Sequence, residues 1–437
     1  MLEILTLALV VPAILLVLWL VRLILYLSKK APRGAKIGVP DESPLYQSAH
    51  GGACESDGPV EKFPGSGRQR LRQLGLKIGT LDTGPENAIT DVSGVKVGHV
   101  TVSHGEGKLT PGNGPARTGV TAIIPHEGDV WNDRVSAAVY VLNGNGVLTG
   151  IDWIRESGTL EVPVVLTNTL SVGTVYDAVI SWMLKKYPQI GIDDDTCIPV
   201  VGECDDSVLN DIQGRHVKED HVFSALNLAA GGRVPEGSVG AGTGMICYEF
   251  KGGIGTASRV LPAEDGGYTV GVLVNCNHGS RQQLLIDGVP VGAEIPEDLA
   301  TEHREGSIVV VIATDAPLTP RQLGRLCRRA ALGLARTGSV AQHESGDFFL
   351  AFSTSRRIPR YILRDEASLF YYLPELSNSN INPLFEAAGE ATGEAIANAL
   401  CMAETMIGRD SNVAHALPLD RLLEVFRKHG KAIMISR

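Results

Sequence analysis

The sequence predicts a layered α/β domain, residues 70–437, carried behind one apolar N-terminal helix. Three observations lead there. Short β-branched runs alternate with longer helical stretches, no linker-like segment interrupts the chain after residue 75, and Leu5–Val21 is almost wholly apolar. A chain of 437 residues has room for two or three domains, yet so continuous a pattern needs only one large core.

The apolar run comes first in order. Joined to Leu23–Leu27 it reaches about 20 residues, enough to cross a bilayer, so residues 1–30 are a membrane-segment candidate with 4–28 in the lipid. Glu3 precedes the run, and Lys29, Lys30, Arg33 and Lys36 come after it. A secretory signal peptide carries its charge the other way round, and basic residues after the span keep its C-terminal side in the cytoplasm. The expectation is a membrane-anchored protein with a cytoplasmic catalytic domain. Pro12 leaves a hairpin in one leaflet open as an alternative to a full span. Residues 31–69, rich in Gly, Ser and Pro, read as a flexible tether.

Beyond the tether, β-branched and apolar runs predict strands at 120–125, 137–142, 164–167, 270–274, 308–314 and 348–353. Helices are expected at 174–186, 320–334, 383–406 and 419–428. Pro320 suits a first helical turn, where its missing N–H costs nothing, and Gly338 lies just past the pattern. Gly240–Gly244 and Gly252–Ser258 have the look of phosphate loops. They lack GKS/T and a completed GxGxxG, so they read as close-packed turns.

Charge and cysteine usage narrow the function. The net charge of −10 is spread without a basic stripe, which excludes nucleic acid as a partner. Cys54, Cys197, Cys204, Cys247, Cys276, Cys327 and Cys401 show no CxxC pair and no Cys/His zinc spacing, and His126, His278 and His303 show no ligand spacing either. No metal and no cofactor are expected, and the thiols read as free in a reducing compartment. Cys204 and Cys276 fall in motif-like segments, where a nucleophile competes with a small buried hydrophobe; the second fits the usual fate of free cysteine.

The dipeptide Gly306-Ser307 carries the chemistry. A polar stretch, PEDLATEHREG, ends there and the apolar strand SIVVVIAT begins. Gly-Ser is common in turns, but cleavage at this boundary would leave a serine with its hydroxyl nucleophile and a free α-amine on one residue. That amine has a pKa of roughly 7.7–8.0, suited to a general base near neutral pH. Ser258 is a rival nucleophile without such a boundary behind it.

From Arg70 onward the chain resembles the DmpA-type peptidases, the family of L-aminopeptidase/D-esterase and β-peptidyl aminopeptidases. The matching segments include ITDVSGVKVGH at 89–99, RTGVTAIIPH at 117–126, PVVLTNTLSVGTVYDA at 163–178, FKGGIGTASR at 250–259, GVLVNCNHG at 271–279 and GSIVVVIATDAPLTPRQLGRLCRRAALGLARTGS at 306–339. The resemblance implies an αββα sandwich of the N-terminal-nucleophile type, self-cleaved between Gly306 and Ser307 into 1–306 and 307–437. It also implies a homo-oligomer, a tetramer of cleaved pairs.

The same resemblance assigns roles. Ser307 matches the nucleophile of a serine aminopeptidase that releases N-terminal residues from small peptides, amides or esters through an acyl-enzyme. Ser345 and Asp347, in HESGDFFLAFS, match the second serine and carboxylate that order the nucleophile, against the plainer reading of SGD as a turn. Asn277 matches the oxyanion donor, with Asn275 on the same face as its near-neighbour. Glu203 matches the glutamate that receives the substrate's free amine. At Asp205 this chain departs from the family, which usually has an aromatic residue there. A carboxylate aimed at an oxyanion opposes catalysis, so Asp205 is protonated, turned away, or binds a second positive group on the substrate. Two other readings stand beside the aminopeptidase: an acyltransferase of the ornithine acetyltransferase type, which uses threonine where this chain has Ser307, and a membrane-tethered relative with activity reduced or lost at Asp205.

Overall fold

The β-branched runs pair into two mixed sheets. The computed structural model describes residues 67–300, 306–360 and 372–431, all of them in the compact unit Phe63–Arg437. The first sheet holds β1 (Lys96–His104), β2 (Ala116–Ile124), β5 (Val164–Asn168) and β6 (Val200–Cys204), in that order. β1–β2 and β2–β5 are antiparallel, and β5–β6 is parallel.

The second sheet has six strands. Its members are β3 (Asp133–Gly144), β4 (Thr159–Leu160), β9 (Gly253–Val260), β10 (Thr269–Asn277), β11 (Ser307–Thr314) and β12 (Gly346–Pro359), in the order β4-β3-β12-β11-β10-β9. Only β11–β12 is parallel. A small hairpin, β7 (Ile246–Cys247) with β8 (Phe250–Lys251), lies apart.

β11 explains the layering. Val309 and Val311 join Leu273, Phe348 and Leu350 and meet Leu166 and Val201 of the facing sheet. Ile308, Val310 and Ile312 point the other way, onto Leu323, Leu326, Ala391 and Ala395. A strand buried on both faces has no polar alternation, which is why its sequence is an unbroken apolar run.

Helices cover the outer faces. The short α1 (Ile151–Ser157) lies beside β3; α2 (Val172–Lys186) packs on β5 and β6, and α3 (Glu219–Asn227) on β1 and β2. After the one-turn α4 (Val291–Glu294), α5 (Pro320–Arg336) packs on β3 and β12 and α6 (Asn382–Met402) on β9 and β10, while α7 (Leu419–Lys428) is the last described element. α5 starts as the sequence predicts, with Pro320 in the first turn and Thr319 as its cap.

Contact between α6 and β9 is close because Gly255 has no side chain: a Cβ there would sit 1.9 Å from the Ala395 carbonyl oxygen. Beside it, Arg259 pairs with Glu390 and Glu394 at 2.8 Å each, all three buried. This contact corrects one expectation. Gly253–Val260, read in part as a turn, is a strand whose glycines accommodate a helix. β1, β6 and α3, which the periodicity does not single out, complete the first sheet and its cover.

The apolar leader 1–30, its bilayer segment 4–28 and the tether up to residue 66 lie outside the described residues. Among the described residues no helix is long and apolar enough to cross a membrane. The longest, α6, carries Glu390, Glu394 and Asn398 into buried polar contacts.

Candidate active site

Ser307 opens β11 and is buried, with Asn277 directly across the antiparallel ladder. Gly306 precedes it in a tight fit. A Cβ at Gly306 would lie 1.7 Å from the Asn277 carbonyl oxygen and 2.8 Å from its Nδ2. Glycine is thus required here for the close approach of the two strands.

Asn277 is held at both ends of its amide. Its Oδ1 accepts from the Ile246 N–H at 2.8 Å, and its Nδ2 donates to the Asp205 carbonyl at 2.8 Å. An amide nitrogen has two protons, so one remains for another acceptor. Asn275 is one turn of the pleat further in, fully buried, with neither amide atom hydrogen-bonded.

The parallel ladder brings β12 to the other side of β11, pairing Ile308 with Asp347. Ser345 Oγ donates to Asp347 Oδ1 at 2.6 Å, and both residues are buried. Burial pushes the Asp347 carboxyl above its ordinary range, with the Ser345 hydroxyl and the positive potential of His278 pulling it back. Gly346 lies between them: a Cβ there would be 3.0 Å from Ser307 Oγ. The predicted Ser307, Ser345, Asp347 and Asn277 are therefore gathered at one end of three neighbouring strands.

Glu203 reaches the same end from the other sheet, near the C-terminus of β6. It is buried, its Oε1 accepts from the Val147 N–H at 2.8 Å, and Thr169 donates its hydroxyl to Oε2. Burial pushes the Glu203 carboxyl up, and these two bonds draw it back. Sequence reasoning misses Thr169, although it lies in the VVLTNTLS segment. Gly144, Gly146, Val147, Trp153 and Phe348 line a cleft of about 650 Å³ beside this end.

Asp205 follows directly on β6. It is exposed, and its Oδ1 accepts from the Ser207 N–H at 2.7 Å, closing its own turn.

Cys204 and Cys276 are fully buried, as expected of small hydrophobes. Cys204 Sγ also donates to the carbonyls of Ser307 and Asn275, at 3.5 and 3.6 Å, and burial keeps its thiol pKa well above the usual value. Ser258, the rival nucleophile, is buried in β9, where it donates to Asp91 at 2.6 Å. Cys247, Cys276 and His278 cluster although their spacing shows no ligand pattern; His303 lies outside the described residues.

Residues 87–414 match Peptidase family S58. The β-peptidyl aminopeptidase BapA of Sphingosinicella xenopeptidilytica is 45% identical over 372 residues, 82% of this chain and 91% of that protein. The solved β-aminopeptidase of a Burkholderia species superposes with a TM-score of 0.78 at 45% identity, over 83% of this chain and 100% of the other. The L-aminopeptidase D-Ala-esterase/amidase of Ochrobactrum anthropi, described as a serine aminopeptidase with a new variant of the Ntn hydrolase fold, gives 0.77 at 43% identity, covering 83% and 99%.

These findings also correct the expected placement. The relatives are named as aminopeptidases and give no support to the membrane-anchored, cytoplasm-facing enzyme inferred from the leader, so that placement is set aside. The acyltransferase alternative likewise has no support among them. With its motifs, its paired sheets and these relatives in agreement, the chain belongs to peptidase family S58, the DmpA-type aminopeptidases that its sequence resembles.

Proposed function

We propose that the protein is a self-processing serine aminopeptidase that cuts its own Gly306–Ser307 bond and then releases N-terminal residues from small peptides, amides or esters. The observation that carries this reading is the junction itself: Ser307 at the mouth of β11, Gly306 pressed onto Asn277, and the Ser345–Asp347 pair one strand away. In processing, Ser307 Oγ attacks the Gly306 carbonyl carbon. The peptide C–N bond breaks, an ester joins the two residues, and the hydroxyl proton passes to the departing nitrogen. Water then hydrolyses the ester, leaving a carboxylate on 1–306 and a free amine on 307–437.

That amine becomes the base for turnover. Ser307 gives up its proton to the amine as it attacks the substrate carbonyl, and the free Nδ2 proton of Asn277 meets the oxyanion. Collapse expels the leaving amine with that proton, and water later frees the acyl group. Ser345 and Asp347 orient the nucleophilic residue. Glu203 holds the substrate ammonium by a charge-assisted hydrogen bond, which selects chain ends over internal peptide bonds. The β-peptidyl relatives support including N-terminal β-amino acids among the substrates, and the Ochrobactrum relative supports the αββα, N-terminal-nucleophile reading of the layers.

A denaturing gel with N-terminal sequencing tests the reading. Wild-type protein separates into two chains, the smaller beginning at Ser307, and Ser307→Ala gives one uncleaved, inactive chain. A folded, full-length wild type that still hydrolyses amino-acid amides would refute it.

A further inference from the structure

Cys276 and His278 flank Asn277, and the β7–β8 hairpin brings Cys247 beside them. The ligating atoms of the three lie within 4.8 Å of one another, and His278 Nδ1 is 3.9 Å from Cys247 Sγ. Tetrahedral zinc, with bonds of about 2.3 Å to sulfur and 2.0–2.1 Å to nitrogen, places such atoms about 3.6 Å apart. A shift of a few tenths of an ångström brings the Cys247–His278 pair to that spacing. All three side chains are buried, where two thiolates would cancel a divalent charge.

The surroundings also fit. His278 Nε2 and Asp347 Oδ2 are both buried without a hydrogen-bond partner, and the two groups are electrostatic neighbours. A metal-bound histidine commonly offers its other ring nitrogen to a carboxylate. Thiolate and imidazole donors together suit zinc and its softer analogues over magnesium or calcium.

We propose that Cys247, Cys276 and His278 form a binding site for one zinc-like divalent cation. The ion binds both Sγ atoms and His278 Nδ1, the two thiol protons leave to solvent, and water fills the fourth position. None of the three ligands takes part in the cleavage chemistry, so the site stands whether or not the Gly306–Ser307 bond is cut. Spacing hides it because Cys247 comes from a separate hairpin.

Cobalt reports on it directly. Full-length protein, expressed with added metal or reduced and incubated with Co²⁺, should bind about one ion and show a thiolate-to-cobalt charge-transfer band that Zn²⁺ abolishes. Cys247→Ser and Cys276→Ser each remove the band, while Cys327→Ser, at a buried thiol of α5 itself, keeps it. X-ray absorption of zinc-loaded wild type needs no variant and should give two sulfurs and one nitrogen around the ion. No band in the wild type, a band that survives Cys247→Ser, or a sulfur-free zinc shell overturns the proposal.

Discussion

Glu203 is the residue whose titration should be visible in catalysis. Burial raises its pKa, and in its proposed role it must be ionised to hold an ammonium group. Protonation therefore removes the anchor as pH falls, and the acid limb of kcat/KM for amino-acid amides should lie above the ordinary glutamate range. Glu203→Gln should flatten that limb and lower kcat/KM at all pH values; an unchanged profile would remove Glu203 from substrate binding. Asp205 makes the opposite forecast. Because its carboxylate caps its own turn through the Ser207 N–H, Asp205→Asn keeps the acceptor and should leave kcat within about threefold, a change worth under 1 kcal/mol. A tenfold rise in kcat would mean that the charge does oppose the oxyanion.

At the scale of elements, Glu203 is held by the register of β5 and β6. The parallel ladder sets Thr167 beside Glu203 and Asn168 beside Cys204, so the turn leaving β5 delivers the Thr169 hydroxyl to the carboxylate. A hydrogen bond to a charged group contributes about 1.5–3 kcal/mol. Thr169→Val should raise KM by about tenfold or more with a smaller change in kcat, and move the acid limb further up, since the lost bond favoured the anion. Kinetics across pH would check both. The β9–α6 contact makes a stability forecast: Gly255→Ala drives a methyl into the Ala395 carbonyl, and the protein should be insoluble or melt many degrees lower.

These two contacts also mark where sequence reasoning reaches and where it stops. Runs such as Ile308–Thr314 are plain, because burial on both faces leaves only apolar residues. β9 is not, since its glycines make room for a neighbouring helix, and the local pattern is the same as that of a turn. Ser307, Ser345, Asp347, Asn277 and Glu203 are proposed as site residues through family resemblance, while Thr169 and the Cys247 cluster depend on strand pairing that no spacing records.

For the whole molecule, strand order decides what the proposed self-cleavage would do. The segment after Ser307 supplies β11 and β12, and these sit inside the six-stranded sheet, between β10 on one side and β3 on the other. The same segment supplies α5 and α6, which pack on β3, β9 and β10. Cutting before Ser307 would break one covalent connection into the sheet and leave every one of these contacts in place. Separating the pieces would expose the two-sided apolar core of β11 and break both flanking ladders, which amounts to unfolding the domain. Cleaved protein should therefore run as one species in gel filtration. In urea, loss of activity, loss of circular dichroism and release of the smaller chain should share one midpoint. Release of a folded small chain below that midpoint would show that the sheet is not continuous across the cut.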